Sequence, residues 1–184
     1  MPLSYLQDVE GRRPDVALVV MPFLFTDWYV PQLRSRYPNL NVPFEKYGGA
    51  GGTMKALVDA NPSRPVACVG IASDDSIKGS YWFYRRGLVS QVEPMGKDVK
   101  LDELIADNNQ LLARYRPPAP REVKEHSMEP TVLLHYATPA YVVAQQCEEL
   151  HYNQEARDWY QRALKLDPSL TQARAALDRL PQGQ

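Results

Sequence analysis

Two places in the chain put acidic or aromatic side chains directly after an apolar run. Asp27 and Trp28 belong to TDWY, which follows VALVVMPFLF, and Asp74 and Asp75 come shortly after RPVACVGI. If both runs are buried parallel strands, their carboxyl ends meet at one edge of a sheet, where α/β folds bind ligands. The carboxylates could accept hydrogen bonds from hydroxyl groups while the indole stacks on a sugar ring. This pattern predicts a ligand crevice lined by Asp27, Trp28, Asp74 and Asp75.

The same residues also have a purely structural explanation. Thr26 or Asp27 can cap a helix that runs to about Arg36, the later acidic pair can cap the next turn, and Trp28 can fill core. An enzyme built on the three aspartates would need two carboxyls close together with raised pKa values. No Ser/His/Asp or Cys/His set is evident in the sequence. We therefore predict no catalytic residue.

A glycine-rich loop, residues 48–52, precedes a short helical pattern that begins near Thr53. Backbone N–H groups of Gly51, Gly52 and Thr53 could bind a phosphate at the helix N-terminus. The loop lacks the GxxxxGK[ST] spacing, however, because Lys55 comes one residue late. The alternative is a loop whose only role is to start the helix.

Charge and cysteine usage exclude several classes of function. The chain carries 21 basic and 22 acidic side chains, a net charge of −1, so a basic surface for nucleic acid is not expected. Cys68 and Cys147 lie far apart without CxxC spacing, and the three histidines show no HExxH pattern. We predict neither a metal site nor a cofactor. The longest apolar run has ten residues, about half of the roughly 20 that a membrane span needs, and no signal peptide is evident, so we expect a soluble chain.

Apolar runs alternate with helical patterns through residues 1–115. The runs at 15–25, 64–71 and 88–94 read as strands, and SDDSIKGSYWFYRRG reads as a turn with a short helix. A further amphipathic helix begins near Asp98. Strands alternating with helices predict a small layered α/β domain with mostly parallel strands.

The proline-rich stretch RPPAPRE, residues 116–122, predicts a linker, and residues 123–184 then read as all-helical. Residues of about 137–170 fit the Ala-x3-aromatic…Pro pattern of a tetratricopeptide repeat. The residues predicted to pack this repeat are Ala144, Ala156, Tyr160, Ala163 and Pro168. A final capping helix follows. Because one such repeat cannot bury its own apolar face, it should lean on the α/β layer, on residues 127–137 or on a partner.

Three stretches together resemble a known family. PLSYLQDVEGRRPDVALVVMPFLFTDWYVPQL resembles the start of the soluble C-terminal part of the protein O-mannosyltransferase-like multi-spanning membrane proteins. RPVACVGI and YRRGLVSQVEP resemble later elements of that family, so the resemblance covers about residues 2–95. The segments GGAGG and FLF depart from the family pattern.

The resemblance implies a role without catalysis in this chain. Family members are thought to transfer a sugar from a lipid-phosphate donor with acidic residues of their membrane portion, which is not in this sequence. It implies an extracytoplasmic accessory domain that shapes acceptor access or binds a partner, first of all the membrane portion of the same protein. The alternative is a free-standing tetratricopeptide module for a protein or peptide partner, although Tyr141 and Gln145 stand where carboxylate-clamp repeats carry Lys and Asn.

Overall fold

The computed structural model of the chain describes residues 2–69, 74–116 and 128–181. These residues form two units, the first from residues 2–66 and 74–80 and the second from residues 67–69, 81–116 and 128–181. The linker predicted at 116–122 lies almost wholly outside the described residues, so that domain boundary stays a prediction. Among the described helices, none is both long and apolar enough to cross a membrane.

Short helices joined by long loops make up the first unit. They are α1 (Pro2–Asp8), a 3₁₀ helix (Met21–Phe25), α2 (Tyr29–Arg36), α3 (Met54–Asp59) and a second 3₁₀ helix (Asp75–Ile77). The largest cluster of buried apolar residues in this unit comprises Leu24, Tyr29, Val30, Leu33, Val42 and Phe44. The core therefore gathers around one face of α2 and the loop that follows it.

The strand predicted at 15–25 is wrong, because this apolar run contains a 3₁₀ helix and no strand. Pro22 sits at the start of the 3₁₀ helix, where its missing N–H does no harm, whereas it would interrupt a strand ladder. The preceding residues are held by side chains instead: the Val20 N–H donates to Tyr29 Oη at 2.8 Å, and Gln7 Nε2 donates to the Val16 carbonyl at 2.6 Å. The helix predicted to end near Arg36 is confirmed, but it begins at Tyr29 and follows Trp28, so the prediction that Thr26 or Asp27 caps it is wrong.

The second unit contains a three-stranded sheet. Its strands are β1 (Val66–Cys68), β2 (Tyr81–Arg86) and β3 (Val89–Pro94), in the order β1-β3-β2. Strands β2 and β3 are antiparallel, from the Arg86–Val89 pair to the Tyr81–Pro94 pair, so the prediction of mostly parallel strands is wrong.

A tight turn explains this antiparallel pairing. Only two residues connect β2 to β3, and the first of them, Gly87, has a φ of 59°, as two-residue hairpin turns require. The aromatic YWFY segment, predicted as part of a short helix, is strand β2, in keeping with the strand preference of aromatic residues.

Helix α4 (Leu101–Ala113) is attached to this hairpin through one fully buried amide. Asn108 Oδ1 accepts from the Gly87 N–H at 2.9 Å, while its Nδ2 donates to the carbonyls of Arg85 at 2.7 Å and Leu104 at 2.9 Å. Every polar atom of the amide therefore has a partner, which offsets the cost of burying it.

Three helices, α5 (Glu129–Glu149), α6 (Asn153–Leu166) and α7 (Thr171–Arg179), complete the second unit. Of the residues predicted to pack the repeat, Ala144, Ala156, Tyr160 and Ala163 have 0% exposure and lie in one core cluster. Pro168 is exposed in the turn between α6 and α7. Small residues at a helix contact allow close approach, and Tyr160 fills the remaining space. The tetratricopeptide assignment itself stays a prediction.

The α5–α6 hairpin also contacts the sheet of its own unit. Gln146 Nε2 on α5 donates to the Phe83 carbonyl of β2 at 3.2 Å. Helix α5 thus packs against α6 and is also hydrogen-bonded to the sheet. These contacts cover the apolar face that a single pair of helices cannot bury alone.

Candidate functional site

Two aromatic side chains of the first unit point into solvent beside the TDWY sequence. Trp28 is 55% exposed and Phe23 is about half-exposed, and their ring centroids lie 5.6 Å apart at an interplanar angle of 47°. Beneath them the buried Tyr29 makes edge contacts with both rings, at 5.5 Å to Phe23 and 5.4 Å to Trp28. The alternative expectation that Trp28 fills the core is therefore wrong.

A second aromatic pair joins the same segment to the loop before α3. Phe25, also about half-exposed, packs edge-on against Tyr47 with ring centroids 5.0 Å apart. The Tyr47 N–H donates to the Leu24 carbonyl at 2.9 Å, which fixes this loop to the 3₁₀ helix.

The backbone of the 3₁₀ helix determines which side chains are exposed. Both the N–H and the hydroxyl of Thr26 donate to the Phe23 carbonyl, at 2.9 and 2.6 Å, and close the turn. Leu24 is then fully buried, while its neighbours Phe23 and Phe25 face outward.

An ion pair joins the two segments that carry the aromatic pairs. Lys46 Nζ lies 2.9 Å from Asp27 Oδ1, and the Asp27 side chain is 88% exposed. Asp27 immediately precedes Trp28, and Lys46 immediately precedes Tyr47. The set Phe23, Phe25, Asp27, Trp28, Lys46 and Tyr47 is called the aromatic platform below. Such an exposed ion pair contributes little to stability, so its carboxylate and ammonium are available to other partners.

Asp74, predicted to line the ligand crevice, is instead bonded to the protein itself. Its carboxylate accepts from the Tyr47 hydroxyl, from the Met54 N–H at 2.7 Å and from the Ser76 N–H at 2.7 Å. Burial opposes ionisation of this carboxyl, but the hydrogen bonds from Tyr47, Met54 and Ser76 outweigh burial and lower its pKa to about 2. Burial and the adjacent Asp74 carboxylate in turn raise the pKa of Tyr47. A general acid at neutral pH needs the opposite shift of a carboxyl pKa.

The four residues predicted to line one crevice are only partly brought together. Asp27 and Asp74 bond to successive residues, Lys46 and Tyr47, so one loop connects them. Asp75 is exposed and pairs with Lys78 at 2.5 Å. Asp27 and Trp28 thus present open groups, whereas Asp74 holds the loop in place.

The glycine loop uses its own backbone donors. The N–H groups of Gly52 and Thr53 donate to the carbonyls of Gly49 and Gly51, at 3.1 and 3.0 Å. Gly52 is also required by packing, because a Cβ at this position would lie 2.1 Å from the Lys46 carbonyl oxygen. Phosphate binding at Gly51, Gly52 and Thr53 would require these hydrogen bonds to open, and it stays a prediction.

The first N–H groups of helix α3 have acceptors as well. Met54 donates to Asp74, Lys55 to Ser76 Oγ at 3.3 Å, and Ala56 to the Thr53 hydroxyl at 3.1 Å. The donors that an anion would use at this helix start are therefore engaged by the protein.

Metal ligands are not clustered in the part of the chain that the structure describes: it holds no group of three or more His, Cys, Asp or Glu side chains suited to a metal ion. Cys68 and Cys147 are both free thiols, and burial raises the pKa of each.

Sequence reasoning missed most of the aromatic platform. The strand predicted at 15–25 would bury Phe23 and Phe25, and no sequence pattern marks Lys46 and Tyr47. The proline between two large apolar residues, in MPF, was a local signal against a strand. Nothing local indicated Lys46, because its partner lies 19 residues away in the chain.

The first unit is thus a small, loop-rich module that presents exposed aromatic side chains, and its N-terminal part resembles a known family. Residues 1–46 match the family described as TMEM260-associated domain 2. This match contains five of the six residues of the aromatic platform, all but Tyr47. It confirms, for this part of the chain, the resemblance to O-mannosyltransferase-like proteins.

A curated relative is the "Protein O-mannosyl-transferase TMEM260" of Mus musculus. It is 25% identical over 103 residues, which cover 50% of this chain and 15% of that protein. The chain is therefore related to the TMEM260 family and corresponds to a small fraction of that relative's length. No solved structure matches the chain significantly.

Proposed function

We propose that this chain is a non-catalytic accessory part of an O-mannosyltransferase-like protein, and that its aromatic platform engages the acceptor or a partner. The observation that carries the proposal is the exposure of Phe23, Phe25 and Trp28 within the segment that matches the family. Burying a large aromatic side chain stabilises the fold. Such side chains are therefore left exposed mainly where they serve as a binding surface.

The chemistry of the predicted carboxylates supports a role without catalysis. Asp74 is held ionised by three donors, and Asp75 is paired with a lysine on the surface. The pKa of Asp74 is lowered, which is the opposite of what a general acid near neutral pH needs. Sugar transfer would then belong to the membrane portion, outside this sequence, and the accessory part would lie on the extracytoplasmic side.

A second candidate function is a protein-interaction module in the helical part. Met128, Val132 and Leu134 are exposed near the start of α5. Leu134 also lines a cavity of about 300 Å³, together with Pro130, Thr131, Asp167, Ser169, Leu170, Thr171 and Gln172. An apolar surface of this kind suits a helical or extended peptide.

The accessory role can be tested in cells that make the protein. Trp28→Ala with Phe25→Ser should leave the amount of protein unchanged but lower the mannosylation of its acceptors several-fold, as measured by glycopeptide mass spectrometry. The matched control is Trp82→Ala, since Trp82 is a tryptophan of similar exposure, 49%, on strand β2. Mannosylation that is equal in all variants would contradict a role of the aromatic platform.

The absence of catalysis needs a separate experiment. The purified chain, mixed with a polyprenyl-phosphate mannose donor and acceptor protein, should release no polyprenyl phosphate. Turnover by the chain alone would show that the active groups are present in it and would overturn the accessory role.

A further inference from the structure

We propose that the aromatic platform is a carbohydrate-binding site for a neutral hexose oligosaccharide. This inference names the ligand class of the surface on which the proposed function rests. It is carried by the combination of exposed rings, an exposed ion pair and a segment related to a sugar-transferring protein.

The rings supply the apolar half of such a site. A pyranose has one face of C–H groups and an edge of hydroxyls, and its C–H face packs on an aromatic ring face. Trp28 and Phe23 pack against each other at 47° with both side chains about half in solvent, so the exposed part of each ring is available to the C–H face of a sugar. The buried Tyr29 supports both rings from below through edge contacts, which fixes their orientation.

The ion pair supplies the polar half. Sugar hydroxyls donate and accept hydrogen bonds at the same time, so they need an acceptor and a donor side by side. Asp27 offers carboxylate oxygens and Lys46 offers ammonium protons, 2.9 Å apart, next to the indole in the chain. Hydrogen bonds to charged groups are the stronger ones, which compensates for the shallowness of the surface.

The charge of the aromatic platform distinguishes this ligand from other occupants. Asp27 and Lys46 cancel, and the neighbouring Glu45 is paired with Arg34 at 2.7 Å. The ionised Asp74 carboxylate is bonded to the Tyr47 hydroxyl and two backbone N–H groups, so it adds no basic group. A phosphate, a nucleic acid or an anionic membrane surface would need an excess of basic groups here. A neutral ligand rich in hydroxyls fits the balance of charges.

Two ring pairs indicate more than one sugar unit. Phe25 and Tyr47 form the second pair, and Gly48, which lacks a side chain, keeps the space beside Phe25 open: a Cβ there would lie 3.6 Å from its ring. Phe23 and Phe25 lie two residues apart in the 3₁₀ helix, so an oligosaccharide, unlike a single sugar, is long enough to reach from one pair to the other. For such an open surface we expect a dissociation constant on the order of 0.1–1 mM.

The first test uses the full chain and α-linked mannotriose as the probe. Saturation-transfer NMR should detect binding. Tryptophan fluorescence in a Trp82→Phe background should also report it, because Trp28 is then the one exposed tryptophan and the other, Trp159, is buried. Mannotriose should bind at least threefold more tightly than methyl α-mannopyranoside. Absence of saturation transfer from both mannotriose and maltotriose at about 10 mM would overturn the proposal.

Variants separate the site from non-specific stacking. Trp28→Ala should weaken mannotriose binding at least tenfold and Asp27→Asn about three- to tenfold, while Trp82→Ala leaves it unchanged. Circular dichroism and the unfolding curve should show that each variant is folded. Equal loss in the Trp28→Ala and Trp82→Ala variants would overturn the assignment to this surface.

A membrane surface is the competing occupant, and sedimentation with phosphatidylcholine vesicles tests it. Vesicle binding that needs Trp28, together with no binding of mannotriose or maltotriose, would overturn the carbohydrate site. If neither trisaccharide binds but cellular mannosylation still falls in the double variant, the carbohydrate site fails while the accessory role stands. If mannotriose binds and mannosylation is unaffected, the carbohydrate site stands and the accessory role fails.

Discussion

The α5–α6 hairpin and the first unit hold their chains together by different means. In the hairpin, Ala137, Ala140 and Ala144 have 0% exposure, and one large side chain, Tyr160, fills the contact between helices. In the first unit, single polar side chains bind distant loops: Asn61 donates to the carbonyls of Asn41 and Leu57, both at 2.7 Å, and accepts from the Asn41 N–H at 2.9 Å.

The difference shows which region is free to carry function. A helical contact built from repeated small residues must bury them all, so those residues cannot also face a ligand. Loops fixed by a few hydrogen bonds can turn large side chains outward, as Phe23, Phe25 and Trp28 are turned. Substitutions should therefore cost most stability in the hairpin, and they should change binding with little loss of stability on the aromatic platform.

The largest effect is expected for Tyr160→Ala. The side chain is fully buried, and its hydroxyl donates to Glu148 Oε2 at 2.6 Å, so truncation leaves a cavity and an unpaired carboxylate oxygen. The free energy of unfolding of the second unit should fall by about 3–5 kcal/mol, measured by urea denaturation. The matched control is Tyr152→Ala just before α6, 43% exposed, which should change it by less than about 0.5 kcal/mol. Similar losses in both variants would show that the hairpin core is not packed around Tyr160.

A smaller effect is expected for Gly52→Ala in the first unit. The new Cβ would meet the Lys46 carbonyl oxygen, which is backbone and cannot swing away, so we expect a loss of about 1–3 kcal/mol. At Gly51, no atom lies within 4 Å of the added Cβ, but its φ is +70°, so Gly51→Ala should cost only about 1 kcal/mol. Thermal unfolding measures both, and a reversed order would mean that the loop is rearranged in solution.

The hairpin could be predicted from sequence because its signals are local. Ala156, Tyr160 and Ala163 recur at helical spacing, and the structure buries all three. Short patterns likewise predict the helix that ends at Arg36 and the strand Val89–Pro94. In each case, residues within one or two turns determine which face is buried.

The aromatic platform and the sheet pairing could not be predicted in the same way. The bonds that shape the first unit join Lys46 to Asp27 and Tyr47 to Asp74, 19 and 27 residues apart. An apolar run such as VALVVMPFLF has the same composition whether it pairs in a sheet or packs as a loop and a 3₁₀ helix. Only the tertiary contacts decide between these two structures, and they leave both phenylalanines of the run exposed.

Asp74→Asn should have an intermediate effect on the first unit. An amide has one acceptor oxygen in place of two, so at least one of the donors Tyr47, Met54 and Ser76 loses its partner. We expect a loss of about 1–2 kcal/mol at pH 7, read out as faster hydrogen exchange of the Met54 and Ser76 amides. Asp75→Asn, the adjacent exposed carboxylate, is the control and should leave both amides unchanged.

The Asp74 carboxylate should also make the stability of the first unit depend on pH. The pKa of Asp74 is lowered from 3.8 to about 2 in the folded protein, so its stabilising effect is complete above about pH 4. It is lost as the pH falls toward 2, because the unfolded chain takes up the proton first. The difference in stability between the wild-type chain and Asp74→Asn should therefore shrink from pH 4 to pH 2. A constant difference would mean that the carboxylate is not the group that holds this loop.

The smallest effect on stability is expected for Trp28→Ala, and it tests the comparison most directly. A half-exposed indole whose ring contacts are with Phe23 and Tyr29 contributes little to the core, so unfolding should shift by no more than about 0.5–1 kcal/mol. The neighbouring Tyr29→Ala removes a buried ring and the acceptor of the Val20 N–H, and it should cost about 3 kcal/mol. If Trp28→Ala cost as much, the indole would be part of the core, and its exposure could no longer be assigned to binding. A small loss of stability joined to a large loss of binding is the combination that only a surface built for a ligand produces.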